Sequence, residues 1–248
     1  MKTGSLVLAA AFVAASGLAQ AQFSSTVTLV SDYEFRGVSL AETDPALQAS
    51  LDYEFANGIA IGAWASNLDY GDAYDGNFEL DFFASYTGEI SQSASWSAGL
   101  TAYTYPDSSA QPATATRDAR LEIEPYLEGY VDITWGSFNA AQWYTDDYSG
   151  LGAGAQYTEF NYTQELPRSF SIAAHVGISW GDYWKDDTLG GGELLDYSLG
   201  VTYEAGNFTL GAKFTGTDAS GERKITSGAF TNDARFLVSI ATTFPWEK

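Results

Sequence analysis

The only imidazole in the chain is His175, in the run Phe170 to Trp180 with Ser171 and Ser179 at even spacing from it. A nucleophilic hydrolase would need a hydroxyl activated by such a base. A lone His of this kind is more simply a polar residue on a polar face. Paired carboxylates recur at a spacing of two: Asp52 with Glu54, and Glu122 with Glu124. Acid–base chemistry uses such pairs, but a β-strand places every second residue on one face whatever its role. Asp69, Asp72 and Asp75, followed by Gly76 and Asn77, form a weak candidate for a divalent site, since their spacing departs from the alternating ligands of an EF-hand loop. Gly150 to Gly154 is glycine-rich, yet no strand-to-helix unit surrounds it to make a phosphate cradle. With no cysteine among 248 residues, disulfides, thiolate metal sites and a Cys nucleophile are excluded. No catalytic residues, cofactor or resident metal are expected, and the chain does not read as an enzyme.

Charge narrows the field further. Eleven Lys and Arg stand against 32 Asp and Glu, a formal charge of −21. Nucleic acid is excluded as a partner, because phosphate binding requires clustered cations. Aromatic residues make up 15% of the chain, far too many for an acidic disordered segment, so the acids are displayed by a folded body.

What must position them is a set of strands. Val27, Leu29, Tyr33 and Phe35 alternate with Thr26, Thr28, Asp32, Glu34 and Arg36. The same period of two runs through Leu47 to Phe55, Phe78 to Tyr86, Leu121 to Glu128, Phe170 to Trp180, Leu195 to Glu204, Phe208 to Thr215 and Arg235 to Phe244. Weaker segments at 59–66, 94–105, 137–145 and 156–164 bring the count to about twelve. Most are near the roughly 9 to 11 residues that a tilted strand needs to cross a bilayer. Short turns (Asn57-Gly58, 88–93, 132–136, 165–168, 205–207) alternate with longer polar stretches (37–44, 67–77, 106–119, 146–155, 181–192, 218–232). That alternation predicts a transmembrane, antiparallel, up-and-down all-β barrel, with short periplasmic turns and longer extracellular loops. A soluble secreted sandwich or lipocalin-like barrel would share the alternation; the strand count, the ordering of turns and loops and the N-terminal segment favour the membrane barrel. The stretch 106–117 reads as an external loop, free either to stand outside or to fold into the pore.

Residues 1–21 read as a secretory signal peptide: Lys2, an apolar core from Leu6 to Ala15, and Ala19-Gln20-Ala21 as the cleavage site. Residues 22–248 then form one barrel domain in a Gram-negative outer membrane. Its expected partners are membrane lipid and lipopolysaccharide, the barrel-assembly machinery and small solutes.

The block Ser31-Asp32-Tyr33-Glu34-Phe35-Arg36-Gly37-Val38-Ser39, then Asp44 to Gln48, Leu51-Asp52-Tyr53, Gly62 to Asn67 and Phe78 to Asp81, resembles the TorF-type porin family of Gram-negative bacteria. The resemblance covers residues 31–86; it implies an outer-membrane channel and supplies neither solute nor site residues.

Twelve strands lie between the eight that fill with side chains and the sixteen or more that enclose open water, so the inward residues decide what passes. The alternation assigns to the lumen the acids Asp32, Glu34, Asp52, Glu54, Glu79, Asp81, Glu122, Glu124, Glu128, Asp196 and Glu204, with His175 and the bases Arg36, Lys213 and Arg235. The bases, on the first and last strands, are expected on one side. Acidic linings favour cations. The expected function is passive diffusion of small hydrophilic solutes or ions through a cation-favouring pore. The alternative is a closed structural or ligand-binding barrel plugged by interlocked ion pairs, for which eleven acids against three bases is a poor balance.

Overall fold

The computed structural model describes residues 22–114, 118–185 and 191–246. The segment read as a signal peptide and part of two long loops lie outside the described residues.

In chain order the strands are β1 (Gln22–Val30), β2 (Glu34–Phe35), β3 (Val38–Ser39), β4 (Ala46–Glu54), β5 (Ile59–Asn67), β6 (Tyr74–Asp75), β7 (Phe78–Ser91), β8 (Ala94–Thr104), β9 (Leu121–Glu122), β10 (Tyr126–Trp135), β11 (Phe138–Thr145), β12 (Ala155–Leu166), β13 (Phe170–Trp180), β14 (Leu194–Ala205), β15 (Phe208–Thr217) and β16 (Arg235–Phe244). Twelve of them form a closed antiparallel transmembrane barrel in which each pairs with its neighbours in sequence, and β1 closes it by pairing with both β16 and β4. Closure matters because a strand edge left unpaired in hydrocarbon would cost several kcal/mol per polar group. Four short strands stand apart: β2 pairs with β3 as a hairpin, and β6 pairs in parallel with β9 among the loops.

The period of two becomes two faces. In β4 Ala46, Gln48 and Ser50 are buried, while Leu47, Ala49 and Leu51 are exposed to the outside. Leu29, Leu100, Val131, Leu199 and Val238 continue this outer apolar surface on other strands. At the short-turn end the outer rings meet in pairs across strands, as Tyr86 with Trp96, Phe138 with Tyr162 and Phe170 with Tyr203. Such a belt suits the headgroup level, where one edge of a ring is wet. Leu199 faces outward in mid-strand and is 61% exposed. Leu199→Arg should lower unfolding stability in vesicles by about 2–4 kcal/mol, the midplane cost of such a charge; an unchanged denaturation midpoint would remove that face from the lipid.

The loop lengths follow the expected alternation. Connections of two to four residues at 55–58, 92–93, 136–137, 167–169 and 206–207 occupy one end, and all the long ones the other. At the tightest signal, Asn57 Oδ1 accepts the Ile59 amide at 3.2 Å and Gly58 takes φ +86°, a region that glycine enters without a Cβ clash.

Three expectations need correction. The first strand ends at Val30, not Arg36, so Tyr33 and Phe35 do not face lipid. The chain turns into the lumen and Tyr33 becomes 6% exposed, packed with Leu40, Leu68 and Tyr105 in an apolar cluster beneath the long loops. Glu122 and Glu124 are not in the barrel wall: β10 starts at Tyr126, because Pro125 has no N–H for the ladder, and both acids are exposed in the loop layer. Asp132, read as part of a turn, is instead in the wall on β10.

Candidate functional site

The lumen is organised by residues 31–45, which enter it from the top of β1. Asp32 is fixed at the entry, where the Ser39 hydroxyl donates to Oδ1 at 2.6 Å and Arg235 Nε on β16 donates to Oδ2 at 2.6 Å. Glu34 pairs with Lys213 on β15, and its Oε1 accepts the Gly37 amide at 2.5 Å. Arg36 continues across the barrel. Its Nη1 and Nη2 donate to the two carboxylate oxygens of Glu128 on β10 at 3.0 and 2.8 Å, a bidentate pair with Glu128 fully buried. In the closed strand order β10 is far from β1 in either direction, so the hairpin spans the lumen. The guanidinium lies 4.3 Å from the Tyr157 ring centroid, 4.6 Å from Phe35 and 5.8 Å from Trp143. Above it, burial pushes the phenol of Tyr148 up in pKa, with Arg36 pulling it back.

The three bases are therefore not gathered on one side. Lys213 and Arg235 sit on adjacent strands, and Arg36 reaches the opposite wall. Each is matched to an acid, and each match joins the hairpin to a wall strand. Removing either partner would leave a buried charge uncompensated, which is costly in a low-dielectric interior.

Among the described residues, the other lumen acids have no Lys or Arg partner. Glu79 and Asp81 face inward on β7 at 2% and 6% exposure. Glu79 Oε2 and Asp81 Oδ1 are buried without a hydrogen-bond partner. Asp196 accepts from His175 Nε2 at 2.8 Å and from the Tyr157 hydroxyl at 3.1 Å; His175 Nδ1 lies 2.6 Å from Asn161 Oδ1. Together with the Tyr157 hydroxyl, 2.9 Å from Nε2, these groups hold His175 in a polar wall network. Asp52 on β4 is half-buried beside Ser50, Glu54 lies exposed at the short-turn rim, and Glu204 accepts from Thr209. Beneath the hairpin a cavity of about 160 Å³ is lined by Glu34, Arg36, Glu159, His175, Asp196 and Lys213, among others.

Four wall acids escaped the sequence reading; Glu89 and Glu165 lie exposed at the short-turn ends of β7 and β12. Glu159 on β12 accepts from Trp143 Nε1 at 2.9 Å and Asn161 Nδ2 at 3.1 Å. Its signal was available: Tyr157, Glu159, Asn161 and Thr163 alternate with Thr158, Phe160 and Tyr162. Asp132 bonds Ser97 and Asn139. The acidic loop is also resolved. Asp72 and Asp75 both meet the Arg120 guanidinium, at 3.2 and 3.7 Å, and Asp69 Oδ1 accepts the Gly71 amide. Arg120 supplies the positive charge that a divalent ion would have brought. The glycine-rich stretch at 150–154 is a loop whose Gly152 amide donates to Asp147.

No curated protein matches the chain. Among solved structures the KdgM porin aligns with 90% of this chain and 99% of its own, at TM-score 0.53 and 10% identity. The NanC porin aligns with 90% and 100%, at TM-score 0.52 and 10% identity. Similarity at this level speaks for the barrel fold alone. The motif block at residues 31–86 lies within a longer family match, which carries a description of its own and not the TorF name. Over residues 14–244 the chain matches the family described as "Bacterial protein of unknown function (Gcw_chp)", and it belongs to that family.

Proposed function

We propose that the chain is an outer-membrane channel for passive diffusion of small hydrophilic solutes or ions, with a preference for cations. The observation that carries this reading is the charge balance inside the wall. Among the described residues Arg36, Lys213 and Arg235 are each matched by one acid, which leaves Asp52, Glu54, Glu79, Asp81, Asp132, Glu159, Asp196 and Glu204 without a Lys or Arg partner, with His175 beside Asp196 and Glu159 as the one further titratable base facing them. Acids in excess of bases along a narrow aqueous path lower the energy of a cation there and raise that of an anion. The apolar outer surface and likeness in fold to porins support the membrane setting. Residues 1–21 fit an export signal. Lipopolysaccharide against the outer face, and the barrel-assembly machinery, are the partners that this setting implies.

A second reading has its own observation. The hairpin crosses the lumen and is tied at three points, as a closed structural barrel would require. The two readings separate in a planar bilayer. Refolded protein under a salt gradient should open in steady steps, with a reversal potential of the sign for cation preference. Silence from a verified barrel would favour the closed reading, and an anion-selective potential would overturn the acidic-lumen account. Asp52 and Glu54 lie outside the interlocked region, near the short-turn opening. Asp52→Asn with Glu54→Gln should shift the reversal potential toward zero without changing the denaturation midpoint; an unmoved potential would place the ion path elsewhere.

A further inference from the structure

The place where Arg36 docks has the composition of a ligand site. Glu128, fully buried, presents both carboxylate oxygens to a guanidinium, and the Tyr103 hydroxyl donates to Oε2 at 3.1 Å, fixing the carboxylate plane. Trp143 and Tyr157 stand as aromatic faces beside the bound cation. Carboxylate plus ring faces is the chemistry that recognises a planar organic cation.

The seat is also held in shape without the hairpin. Trp143 Nε1 donates to Glu159 at 2.9 Å, and its ring stacks on Tyr130 at 4.5 Å. Tyr157 donates to Asp196, and it reaches there because position 177 is glycine: a Cβ on Gly177 would fall 2.1 Å from the Tyr157 hydroxyl. Tyr103, Glu128, Trp143 and Tyr157 come from four successive wall strands, β8, β10, β11 and β12. The occupant comes from a segment rooted across the barrel on β1. A preorganised wall site filled by a tethered side chain is the arrangement of a receptor and its internal competitor.

We propose that this seat recognises solutes bearing a guanidinium group and that Arg36 is its built-in occupant, so that such a solute competes with Arg36 and loosens the hairpin. The inference rests on the channel reading only for the consequence of that loosening; binding at the seat stands apart from conductance. Competition is the required form, because a solute indifferent to hairpin position could not shift it. Guanidinium is favoured over ammonium because the two parallel N–H···O contacts need a planar fork.

The test uses the full barrel in detergent, with folding verified by its strand spectrum, and methylguanidinium chloride as probe. Calorimetry on Arg36→Ala should show one site, bound roughly tenfold more tightly than in Arg36→Ala/Glu128→Gln, the size of loss that one charge-assisted contact implies. Methylammonium should bind Arg36→Ala more weakly than methylguanidinium. Equal binding with and without the Glu128 carboxylate would overturn the proposal. If Arg36→Ala does not fold, Arg36→Lys decides: it keeps the charge but loses the fork, so methylguanidinium should bind it at lower concentration than the unaltered protein, and equal concentrations would overturn the proposal. Binding without bilayer currents would sink the channel reading and keep the site; currents without binding would do the reverse.

Discussion

Glu128→Gln is expected to unlatch the lumen hairpin, raising single-channel conductance severalfold and costing up to about 3–5 kcal/mol of unfolding stability, the range for removing one partner of a buried ion pair. Glu128 has no exposure, and both its oxygens are taken by Arg36. With the carboxylate gone, the guanidinium must remain buried without a counter-charge or leave. Because it sits on a loop and not on the wall, leaving is open to it, so much of the cost should appear as hairpin release. Release strips Lys213 and Arg235 of Glu34 and Asp32 in turn, and this holds the effect well above that of a surface pair. Replacing both partners, as Arg36→Met with Glu128→Leu, should recover most of the lost stability, since an apolar pair of similar volume often matches a buried ion pair. Urea unfolding in vesicles and planar-bilayer recordings check the two halves. Unchanged conductance in a folded Glu128→Gln barrel would mean that the hairpin does not obstruct the ion path.

Gly37→Val should have an effect of similar size by a steric route. Gly37 takes φ +83°, and a Cβ there would lie 2.5 Å from Thr217 Cγ2 and 2.7 Å from the Asp196 Cβ. A β-branched residue adds backbone strain of about 1–3 kcal/mol to overpacking of about 1–3 kcal/mol. Neither can relax while Arg36, the adjacent residue, stays on Glu128. The hairpin tip should lift, breaking the Gly37 amide bond to Glu34, and conductance should rise as in Glu128→Gln. Gly136 is the control: its φ is also positive, +58°, but nothing lies within 4 Å of its Cβ position, and it sits in a short turn. Gly136→Ala should cost about 1 kcal/mol and leave conductance alone. Raised conductance in both variants would point to general loosening of the barrel.

Particular residues show what was legible before folding. Leu47, Leu51 and Leu199 face outward, and Asp52, Glu79, Asp81 and Asp196 inward, as alternation required, because a pleated strand sorts its residues by parity alone. The boundary errors were local too. Pro125 stops β10 from reaching back to Glu122, and Val30, an apolar residue of inward parity, marks where β1 leaves the wall. Both signals were present in the chain, but they were outweighed by an alternation that continues on either side of them.

The sequence by itself determined a twelve-strand barrel with an apolar outside, an acidic lining and loops gathered at one end, because strand period, turn chemistry and polarity act over a few residues. Only the tertiary structure decided that residues 31–45 enter the lumen and which acid meets which base. Arg36 and Glu128 are 92 residues apart, Lys213 and Glu34 are 179, and Arg235 and Asp32 are 203. Such pairs exist only after β1 and β16 have met and the wall has closed. Two strand ends remote in the chain then become neighbours, and a loop between two strands can reach the far side of the barrel. The physical reason is that charge pairing depends on distance through space, and strand alternation carries no information about that distance.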